Sequence, residues 1–294
     1  SGGPRRLGHG WHSTGASWHC CAMASHVDVD AYLERIGFGG QPRIDLDSLA
    51  ALQLAHLSTV PFENLDVVSR TPVRTDLEWS IDKIVTQRRG GWCFEVNGAF
   101  AALLEALGFD VKLLGAAVLL GGPSRVIDHV ALEVRADQPY LVDVGFGESF
   151  TRPLALNLRG RQDGGNAAYE FIASPEGTTL ALLDESGDDA VPVAQYRFKR
   201  VAHALEDFAP ASASMQVDPG KNWHKRPFAT RLLEGGPDRV TLTSDRLKII
   251  CDGVTAEQPV ALDEWTTTLH DWFGIRLGPA AEAALNPTAR SARP

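Results

Sequence analysis

The spacing of apolar residues changes near residue 110, and no other feature of the sequence constrains the fold as strongly. Before this point apolar side chains recur at intervals of three and four, as at Val29, Tyr32 and Ile36, which is the period of a helix face. After it, short apolar runs alternate with turns rich in Gly, Pro, Asp and Ser, which is typical of strands. We therefore predict a helical domain over residues 23–110 and an antiparallel β-barrel over residues 111–205.

The last third of the chain mixes both periods. Residues 239–244 and 246–252 alternate as strands around a short polar turn and predict a hairpin. Residues 262–274 then show the spacing of a helix face. We predict an α/β lid over residues 206–294 whose tail frays from Pro279 onward, which makes the whole chain an α+β fold.

Polar residues and glycines mark the expected helix ends. Asp47 and Asp263 precede apolar periodic segments, so we predict them as N-caps. Gly37, Gly108 and Gly274 follow such segments and are predicted to end their helices.

Residues 1–22 differ from the rest of the chain. They are rich in Gly, Ser and His and show no period, whereas the sequence after Met23 resembles an ordinary domain start. We predict an extension or an added leader that lies outside the fold. The alternative is a metal site, for which the segment holds suitable ligand types at His9, His12, His19, Cys20 and Cys21. No paired spacing such as C-x-x-C supports that alternative, so no metal is predicted.

Composition argues against several classes of function. The chain has 28 Lys and Arg against 37 Asp and Glu, and a net charge of −9, which argues against binding to nucleic acid or to an anionic membrane surface. No apolar run reaches the ~18–20 residues of a membrane-spanning helix. Four cysteines are too few for a disulfide scaffold, so we predict a cytoplasmic protein. Separately, we expect a monomer or a homodimer.

The strongest functional signal is the segment from Arg88 to Gly98. Gly90 and Gly91 make a sharp turn, and Cys93 stands where a long amphipathic helix starts. The first turn of a helix has unpaired N–H groups and a partial positive charge, which stabilise a thiolate. A buried structural cysteine is the alternative, but the turn and the helix start favour a nucleophile whose own N–H helps to bind an oxyanion.

A thiol nucleophile needs a base and a group that orients the base. His129 and Asp143 lie on two neighbouring predicted strands, each on the face opposite to its apolar neighbours. In a hairpin they share a face if paired residues sum to an even number, a register that the sequence leaves open. Each residue alone is more often structural. A helix-start Cys followed by a strand His and a strand Asp is the papain-like and transglutaminase-like arrangement, which makes Cys93, His129 and Asp143 the predicted catalytic residues.

Four motifs together resemble the arylamine N-acetyltransferase family, in the family's order, over about residues 24–275. They are RRGGWCFEVNGAF around Cys93, VPFENLDV at 60–67, DHVALEV at 128–134 and LVDVGFG at 141–147, in a version that looks actinobacterial. The resemblance implies a papain-like architecture of helical bundle, β-barrel and α/β lid. It also implies ping-pong transfer of an acetyl group from acetyl-CoA, through a thioester on Cys93, to an arylamine, arylhydrazine or arylhydroxylamine.

The resemblance assigns substrate contacts beside the triad. Phe62 and Phe146 match aromatic positions that line the acceptor pocket. Gly145 and Gly147 flank Phe146, and the absence of side chains there lets the backbone come close to a ligand.

Supporting and CoA-binding residues follow from the same resemblance. Glu63 and Arg89 match a carboxylate and guanidinium pair that braces the site. Asn222, Trp223 and His224 begin a segment that approaches CoA in the family. A core or interdomain role for Trp223 remains equally open.

Three other functions are compatible with the same set of residues. An amide synthase that releases or cyclises a carrier-bound polyketide would have the same triad and a wider acceptor cleft. A cysteine hydrolase would differ in how the site excludes water, which sequence does not show. A binding module with a decayed site is the least favoured, because the full Cys-His-Asp set is present.

Overall fold

Helices dominate the first part of the chain. The computed structural model describes residues 27–122, 126–218 and 223–285. The α-helices in these ranges are Val29–Arg35 (α1), Leu46–Thr59 (α2), Leu65–Ser69 (α3), Leu77–Ile81 (α4), Cys93–Ala106 (α5), Ala209–Val217 (α6), Trp265–Phe273 (α7) and Pro279–Leu285 (α8). A π-helical turn, Asp82–Thr86, continues α4, and a 3₁₀ turn, Leu205–Phe208, precedes α6.

An eight-stranded antiparallel sheet follows the first helices and nearly closes into a barrel. Its strands are Asp110–Val118 (β2), His129–Arg135 (β3), Pro139–Val142 (β4), Leu154–Ala155 (β5), Gln162–Asp163 (β6), Ala168–Ser174 (β7), Gly177–Asp184 (β8) and Val191–His203 (β9). They are ordered β5-β4-β3-β2-β9-β8-β7-β6. The Gln162 side chain bridges the two edge strands, because it accepts from the Ala155 N–H at 2.8 Å and donates to the Ala155 carbonyl at 3.2 Å.

A second, five-stranded sheet joins the two ends of the chain. Its strands, in spatial order, are Phe62–Glu63 (β1), Ala229–Leu232 (β10), Arg239–Leu242 (β11), Arg246–Cys251 (β12) and Val254–Pro259 (β13). Strand β1 comes from the helical part of the sequence and pairs with β10 in the register Phe62 to Thr230. This pairing brings the first and last parts of the chain together beside the start of α5.

Helix α5 lies at the centre of the molecule. Its side chains are buried continuously from Cys93 to Leu104, and it packs on β2 and β3 as well as on other helices. The hydrophobic core around α5 also includes Phe208 and Met215. The 3₁₀ turn and α6 therefore pack against the helices of the first part of the chain. A second core fills the barrel, and a third lies between the five-stranded sheet and helices α7 and α8. The start of α5 is therefore held rigidly by its surroundings.

The predicted α+β class is confirmed, and so are the glycine helix ends. Gly37, Gly108 and Gly274 have φ of 66°, 97° and 68°, the left-handed region that glycine adopts without strain. The predicted aspartate caps are wrong. Asp45 rather than Asp47 caps α2 by accepting from the Ser48 N–H at 2.9 Å, and no side chain caps α7, which begins after Glu264.

The predicted fraying of the tail is also wrong over its first half. Residues Pro279–Leu285 form α8, because Leu285 is buried in the core of the third part of the chain and α8 packs on α3. Residues 286–294 and the predicted leader, 1–22, lie outside the described ranges. Within those ranges no helix combines the length and apolar character that crossing a membrane requires.

Candidate active site

The Gly-Gly turn places Cys93 by packing backbone against backbone. Gly91 donates its N–H to the Pro61 carbonyl at 3.2 Å, and its own carbonyl accepts from the Glu63 N–H at 2.9 Å. A side chain on Gly90 would collide with the Pro61 carbonyl oxygen. Only glycine fits this approach, so the turn fixes the direction in which α5 begins, with Cys93 as its first residue.

The three predicted catalytic residues meet in one buried site. Cys93, His129 and Asp143 are 5 %, 2 % and 2 % exposed. His129 Nε2 lies 2.7 Å from Asp143 Oδ2, and Cys93 lies close enough to the His129 ring to raise its pKa. Since Nε2 is engaged by the carboxylate, Nδ1 is the ring nitrogen that remains available to the thiol.

The register of the β3–β4 hairpin explains this meeting. Leu132 pairs with Val142, so paired residues sum to 274, an even number. His129 and Asp143 therefore project from the same face, as the sequence analysis required. The structure differs from the prediction in one respect. Strand β4 ends at Val142, so Asp143 lies just beyond the strand rather than within it.

Asn97 holds the Asp143 carboxylate, and sequence reasoning missed it. Its Nδ2 donates to Asp143 Oδ1 at 2.9 Å and to the Val130 carbonyl at 2.7 Å, while its Oδ1 accepts from the Val144 N–H at 2.9 Å. The signal was available, because Asn97 lies four residues after Cys93 and therefore on the same face of α5. Gly145 N–H adds a second bond to Asp143 Oδ1 at 2.8 Å.

The electrostatics of the site favour a charged His129. Burial lowers the pKa of His129, but the charge and hydrogen bond of Asp143, with the bond to Cys93, outweigh burial and raise that pKa to about 10. The imidazole ring is therefore protonated at neutral pH. A protonated ring beside a thiol at a helix start stabilises the thiolate, which is the nucleophilic form.

Aromatic rings enclose the histidine. The rings of Phe146 and Tyr196 lie 5.1 and 5.0 Å from the His129 ring, and 4.9 Å from each other. Sequence reasoning named Phe146 but missed Tyr196, which comes from β9 and has no local signal. Burial, and then the Asp143 charge, raises the pKa of Tyr196, so this phenol remains neutral. The rings exclude water from the triad.

The glycines next to Phe146 make close contacts of two kinds. A Cβ on Gly145 would lie 2.8 Å from the Cys93 Cα, so this glycine lets the loop pack directly on the start of α5. Gly147 has a φ of 84°, and a Cβ there would lie 3.4 Å from the Phe62 ring. The loop that carries Phe146 thus passes between the nucleophile and Phe62.

Below the start of α5 lies a cluster of buried ionic side chains. Arg89 directs both Nε and Nη2 to Glu63 Oε1, at 3.0 and 2.7 Å, so the predicted pair forms, although on one carboxylate oxygen. Arg89 also bonds Asp66 at 3.0 Å, and Lys83 contacts Asp66 at 2.7 Å and Glu95 at 2.8 Å. Sequence reasoning missed Lys83, Asp66 and Glu95, because a cluster assembled from four separate segments shows no common spacing.

The cluster holds three carboxylates against two cations. Burial raises the pKa of Glu95, and Lys83 offsets this only in part. Although burial opposes them, Lys83 and Arg89 together lower the pKa of Asp66. Glu95 Oε2 also accepts from the Trp92 N–H at 3.2 Å, which ties the cluster to the residue that precedes Cys93.

Replacing Lys83 with methionine is expected to destabilise the protein by about 3–5 kcal/mol, because it leaves buried carboxylates without their cation. Urea unfolding measures this change. Arg161→Gln, which breaks an exposed pair with Glu185, is the control and should cost less than about 1 kcal/mol. A Lys83→Met variant as stable as this control would show that the cluster does not support the fold.

Two of the three predicted CoA residues lie in the described part of the chain. The Trp223 ring contacts those of Phe62 and Phe228 at 5.9 and 5.7 Å, and half-buried His224 follows it. Asn222 lies outside the described ranges. A cavity of about 610 Å³ opens beside Trp223, and among its lining residues are Arg226, Phe228, Thr241, Asp245 and Arg246.

No three His, Cys, Asp or Glu side chains within the described ranges are placed to hold a metal ion. The five residues of the alternative metal site, at positions 9 to 21, lie outside those ranges. Cys93 and His129 support the chemistry of a thiol nucleophile paired with an imidazole base.

Comparisons with known proteins agree on one family. The sequence profile of a family described as N-acetyltransferase matches residues 45–282. The arylamine N-acetyltransferase of Mycolicibacterium smegmatis is 40 % identical over 165 residues, which cover 53 % of this chain and 60 % of that enzyme. The arylamine N-acetyltransferase of Escherichia coli K12 is 38 % identical over 132 residues, which cover 44 % of this chain and 47 % of that enzyme. The chain thus spans about half the length of these curated relatives.

Solved structures extend the likeness over most of the fold. The structure of Mycobacterium marinum arylamine N-acetyltransferase in complex with CoA aligns with a TM-score of 0.79 and 29 % identity, covering 88 % of this chain and 99 % of that chain. The arylamine N-acetyltransferase of Salmonella typhimurium aligns with a TM-score of 0.82 and 25 % identity, over 88 % of this chain and 98 % of that chain.

Proposed function

The chain belongs to the arylamine N-acetyltransferase family, and from this premise we propose that it moves an acetyl group from acetyl-CoA to the nitrogen of an aromatic amine, hydrazine or hydroxylamine. The observation that carries the proposal is the buried chain of contacts from Cys93 through His129 to Asp143. A thiol activated in this way reacts with acyl carbonyls, and acetyl-CoA is the donor that fits the family.

The first half-reaction forms a thioester on the enzyme. The Cys93 thiolate attacks the carbonyl carbon of acetyl-CoA, and the Cys93 N–H, free of a helical partner at this position, is placed to stabilise the oxyanion. The bond to the CoA sulfur then breaks, and protonated His129 gives its proton to the departing thiolate. The products are free CoA, acetyl-Cys93 and neutral His129.

The second half-reaction reverses these roles. The amine nitrogen attacks the acetyl carbonyl, and neutral His129 accepts the proton that the nitrogen loses. The bond to Cys93 breaks, and the amide leaves. The thiolate and the protonated imidazole are restored, with Asp143 holding the ring in place throughout.

Initial rates measured at several fixed amine concentrations test this two-step scheme. If CoA leaves before the amine binds, double-reciprocal plots against acetyl-CoA concentration are parallel. Intersecting lines would instead require a complex of both substrates and would contradict an acetyl-Cys93 intermediate.

Trp223 and the neighbouring cavity are the proposed donor site, together with Asn222 and His224. The indole ring offers a stacking surface, and Arg226 and Arg246 supply positive charge for the CoA phosphates. We expect Trp223→Ala to raise the KM for acetyl-CoA about five- to tenfold in steady-state assays, because stacking contributes about 1 kcal/mol. Trp223→Phe is the control that keeps a ring. A Trp223→Ala variant with an altered KM only for the amine would refute this assignment.

The setting follows from the proposed chemistry. Acetyl-CoA is made and used inside cells, and free thiols such as Cys93 and Cys251 suit a reducing compartment, so a cytoplasmic enzyme is proposed. The proposed partners are small molecules, namely CoA and an aromatic amine or hydrazine. A monomer or a homodimer remains a prediction.

A further inference from the structure

A cleft of about 920 Å³ opens where helices α1, α2 and α7 end. Arg35 and Arg231 line it from α1 and β10, and Arg88 lines it from the segment that leads to the Gly-Gly turn. The cleft shares no lining residue with the cavity beside Trp223, and no member of the catalytic triad lines it. It is therefore separate from both the proposed donor site and the site of acetyl transfer.

The three arginines are bonded to neutral groups or to nothing within the described ranges. Arg35, which is 6 % exposed, donates to the backbone carbonyls of residues 59, 84, 88 and 89. Half-buried Arg231 donates from Nε to the Trp272 carbonyl at 2.7 Å and from Nη1 to the Ser58 carbonyl at 2.9 Å. The side chain of Arg88 is exposed and makes no hydrogen bond or ion pair with the residues that the structure describes. Arg88 and the Nη2 of Arg231 thus retain donors for a ligand.

The positive charges of the cleft lie close together and lack paired carboxylates. Burial first, and then the nearby charges of Arg88 and Arg231, lower the pKa of Arg35 to about 10. No carboxylate of the described part of the chain lies within the 4.0 Å of an ion pair from any of the three arginines. The carboxylates that line the cleft are all exposed, and they belong to Glu34, Glu234 and Asp271.

Capping of helix ends accounts for only part of this charge. Arg35 and Arg231 bind carbonyls in the last turn of α2, and Arg231 also binds one in the last turn of α7. A helix end carries about half a unit of negative charge, so the three helix ends supply at most about 1.5 units against three guanidinium groups. Positive charge therefore remains for a bound anion to neutralise.

The walls between the arginines are partly apolar. They include the half-buried side chains of Leu54, Ala55, Leu233 and Trp272. A guanidinium group binds the oxygens of carboxylates and phosphates, whereas an apolar wall packs against an aromatic or aliphatic body. The lining thus fits a molecule that combines both features.

Arg35 connects the cleft to the segment that places the nucleophile. Its Nη2 donates to the Arg88 and Arg89 carbonyls at 3.4 and 3.2 Å, and these two residues directly precede the Gly-Gly turn. An anion held between Arg35 and Arg88 would therefore stabilise the segment that fixes the start of α5.

We propose that this cleft binds a small organic anion that carries at least two negative charges, in carboxylate or phosphate groups, on an apolar body. The cleft is a second ligand site, separate from the site where the acetyl group is transferred. Its ligand stabilises the segment before the Gly-Gly turn.

Isothermal titration calorimetry at constant ionic strength tests this with phenyl phosphate and isophthalate, at a pH where both are dianions, and with uncharged isophthalamide. We expect at least one dianion to bind with a Kd below about 1 mM, and isophthalamide not to bind measurably. Binding of phenyl phosphate alone assigns a phosphate to the ligand, and binding of isophthalate alone assigns carboxylates. Both results support the site.

Arg88→Gln locates the binding. It removes one charge without breaking a bond to the described residues, and we expect it to weaken binding about five- to tenfold. Arg88→Lys keeps the charge and should stay within about threefold of wild type. Arg70→Gln is the matched control, because Arg70 is also exposed and its φ of 64° resembles the 52° of Arg88. It should bind as wild type does.

Three results would overturn the inference. One is the absence of binding by both dianions up to about 10 mM. Another is the same Kd in Arg88→Gln and wild type. The third is a crystal structure of the complex in which the dianion lies beside Cys93 or Trp223 instead of the three arginines. These experiments measure binding alone, so their outcome is independent of whether the protein transfers acetyl groups.

Discussion

Replacing Cys93 with alanine is expected to reduce acetyl transfer about 10⁴-fold or more, to the background rate, because the reaction passes through a bond to the Cys93 sulfur. The variant should remain folded, since alanine fits the start of α5 and Cys93 is a small part of the core. The measurement is the rate of CoA release in the presence of acetyl-CoA and an arylamine, alongside thermal unfolding of both proteins.

Cys251→Ala is the matched control for this prediction. Cys251 is the other free cysteine of the described residues, is exposed and donates to Asp238, away from the triad. It should retain wild-type turnover. If Cys93→Ala kept more than about 1 % of the wild-type rate, or if Cys251→Ala lost activity instead, the thioester would not be on Cys93.

Replacing Asp143 with asparagine is expected to lower kcat about 10³- to 10⁴-fold while the protein stays folded. In the wild type the Asp143 carboxylate opposes the effect of burial and keeps the pKa of His129 raised, at about 10. Without that charge, burial dominates and the pKa of His129 falls below its usual range, so the ring is neutral at pH 7. The protonated ring that stabilises the thiolate is then lost, and an amide nitrogen no longer fixes the ring orientation.

The pH dependence of alkylation measures this effect directly. In the wild type, the iodoacetamide reaction of Cys93 should already be fast at pH 7, because His129 stays charged until the pH approaches 10. In Asp143→Asn the rate at pH 7 should fall, because the His129 ring no longer carries the charge that stabilises the thiolate. Identical profiles for the two proteins would show that Asp143 does not control the charge of His129.

The local parts of the site could be predicted because each has a signal within a few residues. The Gly-Gly turn and the amphipathic pattern place Cys93 at a helix start, and alternation on two neighbouring strands makes a common face for His129 and Asp143 possible, which the observed register then provides. Asn97 carried a comparable signal, four residues after Cys93 on one helix. The cap at Asp45 was missed because Asp45 and Asp47 lie on either side of the first residue of α2, and spacing alone does not choose between them.

Contacts between distant segments could not be predicted from spacing. The pairing of β1 with β10 joins residues more than 160 positions apart and places Phe62 beside Thr230. Tyr196 reaches His129 only because β9 crosses back beside β2. Lys83 finds its three carboxylates through packing of separate helices and turns. Such contacts depend on how distant strands pair and how distant helices pack. The spacing of residues within one segment does not show either of these.

The most direct test of the account is the intact mass of the protein after incubation with acetyl-CoA and no amine. We predict a gain of one acetyl group, mapped by peptide analysis to Cys93, absent in Cys93→Ala and removed when an arylamine is added. No gain in mass, with Cys93 still rapidly alkylated by iodoacetamide, would contradict the proposed donor and favour an amide synthase that accepts acyl groups from a carrier protein. Acetylation at any other residue would contradict the assignment of the nucleophile.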